Sequence, residues 1–311
     1  MTDEGAGIDV SMNITKSMMT NQYVYNLNQI NQNMMTQENQ MATGKTLNLP
    51  SDNPLAVSTD MQTKTAISQA TSDLSAASGS LAMMNTTQAA VSEMASVLNG
   101  LQTIVNQAIN TPNETPQTLG ALSQQAGQLI SQLGQLSDTK YGNNYVFGGY
   151  QTETPPSTYV FTNTSPTGTT SAPTVQFSNG TQVQTSVLGT DLFQTPPAGK
   201  TVSLSQTLQT LVSDIQGGNS GTLSTDLANL QAQTNHVINQ NAELGTRINQ
   251  IQAYANQTTN YQTLLLNQQS NLENANMAQV LTQFSNEQTV YTAALKLGQQ
   301  ILMPTLFTYL P

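Results

Sequence analysis

The sequence predicts a mainly α protein: an elongated helical bundle built from both ends of the chain, with a small β-rich domain inserted between them. Both ends carry long stretches in which apolar residues recur every three or four positions, which is typical of helices that pack against other helices. Residues 151–200 lack this repeat and are rich in Thr, Ser, Pro and Gly. Hydrophobic residues are 37% and aromatic residues 5% of the 311 residues, so thin cores between long helices suit the composition better than one compact core.

The first helix is predicted over 14–41. The residues before Ile14 lack an apolar repeat and are expected to be disordered. Gln37 is the one polar interruption of the seam, and Gly44 stands where a helix C-cap belongs. The predicted seam consists of Tyr23, Leu27, Ile30, Met34 and Met41.

A turn over 47–54 follows, with two prolines and several residues that cap or turn the backbone. Ser51 or Asp52 is expected to cap the second helix, predicted over 55–109 from apolar residues about seven apart between Ile67 and Val105. Thr and Pro residues at 111–116 break this pattern. A third helix is predicted over 117–139.

The middle of the chain changes character. Tyr141 to Tyr150 contains three glycines and four aromatic residues, which predicts an aromatic turn or strand. Short strands are predicted at 159–161, 174–177 and 182–187. Asn179-Gly180 is a hairpin signal, although a strict two-residue turn would pair Phe177 with Gln182, which leaves the register open.

Helical periodicity returns at 201–216 and again over 221–303. One seam has members seven apart from Leu244 to Leu272, with Thr258 among them. After 274–276 the seam resumes in a shifted phase, which predicts a bend or a change of partner helix. The resumed seam consists of Met277, Leu281, Phe284, Gln288, Tyr291, Leu295, Gly298 and Leu302.

Composition excludes several functions. Charged residues are 8% of the chain, the formal charge is −10 and Arg247 is the sole arginine, so binding to nucleic acid or to anionic lipid is not expected. The sequence has no run of about 18 apolar residues, so no membrane-spanning helix is predicted. The N-terminus does not resemble a Sec-type signal peptide. Cysteine is absent and His236 is the only histidine. No catalytic, cofactor-binding or metal-binding residue is predicted.

The acidic balance has two interpretations. Simple solubility is one. Adaptation to an acidic exterior is the other: near pH 3 most carboxylates would be neutral, and few basic groups would then limit repulsion between copies of the chain.

The apolar seams indicate assembly rather than chemistry. A seam of this kind must meet another helix, within the chain or on a neighbouring subunit. A pair of end helices is too thin to be stable alone. We therefore expect residues 1–45 and 275–311 to be poorly ordered in the free chain and to order when further copies cover their seams.

Three segments resemble the flagellar hook–filament junction protein (FlgL) family. Residues 44–54 are similar to its Gly-Lys-Arg…Pro-Ser-Asp-Asp-Pro signature, with Thr46 and Asn53 as departures. Residues 142–149 are similar to its Gly-x-Tyr-Leu-Phe-x-Gly segment, and 242–249 to its Leu-Gly-x-Arg-x-Asn segment. An arginine in this setting suits an ion pair or a carbonyl cap. The matching residues are Gly44, Lys45, Pro50, Ser51, Asp52, Pro54, Tyr145, Phe147, Gly148, Gly149 and Arg247.

The resemblance implies a flagellin-like layout in three domains. Residues 1–50 with 272–311 would form an inner assembly domain, 51–150 with 201–271 a helical rod, and 151–200 a variable outer domain. It implies a non-enzymatic protein that is exported by the flagellar type III apparatus and works outside the cell. The implied partners are further copies in a ring, another hook-associated protein (FlgK), flagellin and an export chaperone.

Two alternatives to this interpretation stay open. In the first, the chain is a flagellin filament subunit, a kind of protein that shares the two-ended helical design. Less in keeping with the sequence is a secreted adhesin or carbohydrate-binding protein that uses 151–200. That stretch has only four aromatic residues and no carboxylate pair; the four are Tyr159, Phe161, Phe177 and Phe193.

Overall fold

The computed structural model describes residues 6–51, 53–110, 115–162 and 171–302. Within these ranges the chain is mainly helical and separates into two compact units. We call residues up to 67 together with those from 263 the terminal unit, and 68–262 the central unit. The helices are α1 (Ala6–Thr43), α2 (Pro54–Asn110), α3 (Pro116–Ser137), α4 (Ser157–Val160), α5 (Gly189–Phe193), α6 (Leu204–Gly217), α7 (Ser220–Glu273) and α8 (Met277–Leu302). The strands are β1 (Lys140–Tyr141), β2 (Asn144–Tyr145), β3 (Thr174–Gln176) and β4 (Gln182–Gln184).

In the terminal unit, α1 packs against α8. The predicted end of α1 is confirmed: Gly44 adopts φ 70° and its N–H donates to the Gln40 carbonyl at 2.8 Å, which is a left-handed C-cap. The predicted disorder before residue 14 is wrong over 6–13, where α1 is already helical. This stretch has no proline, and its polar residues do not break a helix.

The start of α2 corrects one prediction. The cap is Asn53, whose Oδ1 accepts a hydrogen bond from the Ala56 N–H at 3.1 Å, and not Ser51. Pro54 fixes the first helical position, because its missing N–H costs nothing there, so the capping residue must directly precede it. Asp52 lies outside the described residues.

The long helices of the central unit bury the seams that the sequence predicts. In α2, Leu98 and Val105 have no exposed surface, and in α7 the same holds for Leu244 and Ile251. These residues belong to one core that also takes in α3, α6 and the inserted segment. The break between α7 and α8 falls at 274–276, where the predicted phase of the seam shifts.

The inserted β structure is smaller than predicted. The strand at 159–161 is wrong, since Ser157–Val160 is the short helix α4. Two prolines precede this turn and favour a helix start, and the Asp138 carboxylate accepts hydrogen bonds from the Ser157 N–H at 2.9 Å and Oγ at 2.6 Å. A cap from so far along the chain cannot be seen in local sequence.

The second hairpin forms where the Asn179-Gly180 signal predicts it. Strands β3 and β4 pair antiparallel with Gln176 opposite Gln182. The Phe177 N–H donates to the Thr181 carbonyl at 2.9 Å, so the loop spans the three residues 178–180. Gly180 adopts φ 84°, as the last residue of such a three-residue loop requires. The register is therefore shifted by one residue from the two-residue turn.

Candidate assembly surface

One face of α1 is the contact with α8. From Thr20 to Gln40, every third or fourth residue of α1 is half-buried and all residues between them are exposed. Met41, next to Gln40, is half-buried as well. Five of the half-buried residues form the seam predicted from the sequence: Tyr23, Leu27, Ile30, Met34 and Met41.

Tyr23 and Gly298 fit each other closely. The Tyr23 hydroxyl donates to the Ala294 carbonyl at 2.8 Å. A Cβ added to Gly298 would lie 2.7 Å from the Tyr23 Cζ, closer than real Cβ atoms approach, so the ring requires glycine there. One polar contact crosses the same seam, from the Asn33 amide to the Glu287 Oε1 at 3.3 Å.

Helix α8 turns a row to α1 that differs from the predicted seam. Phe284, Tyr291 and Gly298 of the predicted set are covered or partly covered. Position 302 lies beyond the described side chains. Three further residues of the covered row were missed by the periodicity: Val280, Glu287 and Ala294.

The remaining predicted residues, three apolar ones and Gln288, are exposed on the solvent-facing side. Met277, Leu281 and Leu295 are exposed by 39%, 54% and 43%. At 100° per residue they lie within about 40° of one another, beside the row that faces α1. The sequence repeat joined two adjacent apolar rows into one, because periodicity alone cannot separate them. We call these three residues the open row of α8.

Helix α1 also leaves apolar side chains uncovered. Met18, Tyr25 and Met35 are each exposed by more than half. Exposed apolar patches on soluble proteins often mark sites where another molecule binds. The exposed apolar residues of these two adjacent helices form such a patch. The pair α1–α8 thus buries one row of each helix and exposes others.

A cluster of paired charges connects the segment after α1 and the beginning of α2 to the end of α7. Lys45 Nζ lies 3.0 Å from Glu273 Oε2, and Lys64 Nζ pairs with Glu273 Oε1 and, at 2.7 Å, with Asp60 Oδ2. Hydrogen bonds from Lys64 and then Lys45 lower the pKa of Glu273 to about 2. The hydrogen bonds that Lys64 donates, to Asp60 first and then to Glu273, raise the pKa of Lys64. We call these four residues the ion cluster.

Backbone bonds join the same two segments. The Thr46 N–H donates to the Glu273 carbonyl at 2.7 Å, and the Ala275 N–H donates to the Gly44 carbonyl at 2.9 Å. The Thr46 hydroxyl donates to the Leu272 carbonyl at 3.0 Å. Thr46, which departs from the family signature, therefore holds the junction through hydrogen bonds. Of the other described signature residues, Pro50 and Ser51 lie exposed in the turn, and Pro54 is exposed at the first position of α2.

The segment Tyr145 to Gly149 is a core element of the central unit. Phe147 is 1% exposed, and its carbonyl accepts the Gly189 N–H at 2.9 Å. A Cβ on Gly148 would lie 2.5 Å from the Gln151 carbonyl oxygen, and Gly149 has φ 61°, so both positions require glycine. Tyr145 is half-buried, with the Lys140 ammonium 4.4 Å from its ring centre.

Arg247 makes an ion pair and a carbonyl contact. Its NH2 lies 2.6 Å from the Glu243 Oε1, and its NH1 lies 3.5 Å from the Ser186 carbonyl. His236 is nearby but its Nε2 lies 3.0 Å from the backbone oxygen of Asp191 rather than from a carboxylate. These contacts of Arg247 and His236 suit a structural role, because His236 contacts a backbone oxygen and not the carboxylate that a catalytic triad requires.

The β3–β4 hairpin is anchored to α2 and α7 through Asp73. The Asp73 carboxylate accepts hydrogen bonds from the Ser178 Oγ at 2.8 Å and from the Tyr254 hydroxyl at 2.8 Å. Phe177 stacks on the Tyr254 ring with centroids 4.0 Å apart. Burial alone would raise the pKa of Asp73, but the hydrogen bonds from Ser178 and Tyr254 lower it overall.

The described residues contain neither a metal-ligand cluster nor a membrane-spanning helix. No group of three or more His, Cys, Asp or Glu side chains within 6–51, 53–110, 115–162 and 171–302 is placed to hold a metal ion. Among the helices described, none combines the length and the apolar character that crossing a membrane would require.

Comparisons with known proteins find one family model and several solved structures similar to this chain. Residues 14–152 match the model of the bacterial flagellin N-terminal helical region. No curated protein sequence matches the chain. Crystal structures that it resembles include FlgL of Bacillus cereus, at 18% identity and a TM-score of 0.54, with 68% of this chain and 100% of that chain covered.

Two further similar structures come from Legionella pneumophila. Flagellar hook associated protein-3 is 14% identical with a TM-score of 0.58, covering 70% of this chain and 98% of that one. The flagellar junction protein FlgL is 14% identical with a TM-score of 0.54, covering 69% and 99%. At these identities the likeness concerns the fold.

Proposed function

We propose that this chain is a structural component of the bacterial flagellum that joins the hook to the filament. Residues 14–152 match the model of the bacterial flagellin N-terminal helical region, and the fold resembles that of flagellar hook-associated proteins. Its work is to assemble rather than to catalyse. Its place is outside the cell, within the flagellum, where it assembles with other flagellar components.

The open row of α8 is the observation that carries this proposal. Covering the exposed part of Met277, Leu281 and Leu295, about half of each side chain, would contribute about 1 kcal/mol each. The pair α1–α8 cannot gain this energy alone, because these side chains lie exposed in the single chain. A neighbouring subunit that offers an apolar helix gains it at every contact along a ring.

The low charge of the end helices supports the same role. Between Ala6 and Thr43, α1 has three charged residues, and α8 has two. Copies that pack side by side therefore meet little like-charge repulsion, which costs free energy when charges are desolvated. The exposed polar positions are mostly Gln, Asn, Ser and Thr, which form hydrogen bonds without that cost.

The proposed partners follow the family resemblance. The chain forms a ring of copies, with FlgK on the hook side and flagellin on the filament side. A chaperone binds it before export, and the flagellar type III apparatus exports it. The end helices, including the seam from Tyr23 to Met41 and the apolar rows of α8, make the contacts between subunits.

A paired-variant experiment tests the assembly surface. Leu281→Asp with Leu295→Asp places two charges on the open row, whereas Thr282→Asp with Thr289→Asp places two charges on the polar side of the same helix, where both threonines are exposed. We expect only the first pair to abolish assembly at the hook tip, seen by electron microscopy, with circular dichroism of the monomer alike in both. Normal assembly of the first pair would contradict the proposal.

Flagellin itself is the second candidate, because the matched family model describes a flagellin region. A strain lacking the gene separates the two. Release of flagellin monomers into the medium without filaments indicates a junction protein. Loss of filaments without such release indicates the filament subunit.

A further inference from the structure

We propose that Asp214 and Asp226 share one proton in the folded central unit, so that this unit takes up a proton when it folds and is most stable in mildly acidic surroundings. The inference concerns folding of the chain itself. It does not depend on the proposed role in assembly.

The two carboxyl groups face each other across a helical hairpin. Helix α6 ends at Gly217, Gly218 adopts φ 63°, and α7 begins at Ser220. The Thr207 hydroxyl on α6 accepts a hydrogen bond at 3.0 Å from the Gln233 amide on α7. Thr207 comes seven residues before Asp214, and Gln233 comes seven residues after Asp226. Antiparallel helices in this register bring Asp214 and Asp226 together.

Asp226 lies in apolar surroundings. It is 8% exposed, and its Oδ2 is buried without a hydrogen-bond donor. On the same face of α7, Leu223 and Leu230 have no exposed surface, and on α6 Leu211 and Ile215 have none. A carboxylate that is buried without a donor is strongly disfavoured unless a proton neutralises it.

No described cation lies near enough to neutralise the pair. Helix α3 contains no ionisable residue, and Asp214 is the only one in α6. On α7 the nearest ionisable residue to Asp226 is His236, ten positions and about 15 Å away along the helix.

The facing part of α2 offers no charge either. The Gln102 amide donates to the Thr234 hydroxyl at 2.7 Å, so the end of α2 lies beside the beginning of α7. That end, residues 94–110, has no ionisable side chain. Because none of the described groups near Asp226 is a cation, its carboxylate is neutralised by binding a proton.

The linkage has a definite sign. Burial first, then the charge of Asp214 and a hydrogen bond with it, raise the pKa of Asp226 to about 6, whereas an unfolded aspartate titrates near 4. The stabilisation is complete below about pH 4 and is lost as the pH rises through about 6. The folding equilibrium constant of the central unit should fall by about 100-fold over this interval from this pair alone.

Nuclear magnetic resonance of the full chain tests the inference directly. With aspartate carboxyl carbons labelled with ¹³C, we expect one resonance to titrate near pH 6, and to be absent from Asp226→Asn. In Asp214→Asn the midpoint should fall, because an amide can donate to the Asp226 carboxylate. The absence of any aspartate resonance with a midpoint near pH 6 in the unaltered chain would overturn the proposal, and this outcome can be read without any variant.

Urea unfolding between pH 4.5 and 7.5 gives the second measurement. The unaltered chain should lose stability over this range, and Asp226→Asn should flatten the profile. Glu93→Gln is the control, since it removes an exposed carboxylate from α2 and should leave the profile as it is. An unchanged profile in Asp226→Asn would contradict the inference.

Discussion

The terminal and central units are built from the same kind of helix and reach different degrees of burial. In the central unit Met84, Leu98, Leu133 and Leu211 have 1% exposure or less. In α1 no residue from Ser17 to Thr43, the part whose side chains are described, is fully buried. An apolar seam closes only when several helices surround it, and α1 has α8 as its described helical partner.

The two units also treat charge differently. In the terminal unit the ion cluster pairs two lysines with Glu273 and Asp60. In the central unit Asp226 faces another acid. Paired charges favour the ionised carboxylate and two facing acids favour the protonated one, so Glu273 and Asp226 should respond to pH in opposite directions.

Core truncation should show the largest difference between the units. Leu98→Ala in α2 removes a side chain without exposed surface and should cost about 2–5 kcal/mol of unfolding free energy. Leu27→Ala in α1 is the matched change on a half-buried seam and should cost about 1 kcal/mol or less in the free chain. Urea unfolding monitored by circular dichroism gives both values. Equal losses would mean that α1 is as well buried as the central core.

Removing the shared carboxylate of the ion cluster should weaken the terminal unit. Glu273→Gln leaves Lys45 and Lys64 without their common partner, and both lysines are about half exposed. We expect a loss of about 1–2 kcal/mol, smaller than for a fully buried pair. Hydrogen exchange of the amides at 46 and 275 should accelerate. Glu38→Gln on the exposed side of α1 is the control, and equal effects of both changes would contradict the role of the cluster.

Acid should act on the same cluster with a sign opposite to that at Asp226. The pKa of Glu273 is about 2, below the unfolded value near 4.3. Its stabilisation is present above about pH 4.5 and is lost as the pH falls towards 2. Exchange at 46 and 275 should therefore slow on going from pH 2.5 to 5, after correction for the intrinsic rate. In Glu273→Gln this change should vanish, and its persistence would refute the assignment.

Gly298→Ala should have the smallest effect. The added Cβ displaces the Tyr23 ring, which costs about 1 kcal/mol in a pair that is only half-buried. Tyr23→Ala makes the room, so the double variant should show coupling between the two sites. Additive losses in thermal unfolding would mean that the ring moves freely.

Long-range contacts mark the limit of what the sequence could predict. The end of α1 at Gly44 and the break at 274–276 were predictable, because C-cap signals and the phase of the seam are local. The start of α1 was not, because residues 6–13 carry no apolar repeat. The helix at 157–160 was not, because its cap Asp138 comes from another element. The partner of Lys45 was not predictable either, since Glu273 stands at the opposite end of the chain. On α8, two adjacent apolar rows made Met277 and Leu295 indistinguishable from the residues that face α1.

Hydrogen exchange of the free and the assembled chain tests the central claim most directly. If the end helices order by packing against neighbouring copies, amides at 20–43 and 277–299 should exchange quickly in the free chain, while those at 91–105 and 230–251 stay protected. On assembly the first group should become protected and the second should change little. Equal protection of both groups in the free chain, with no change on assembly, would contradict it.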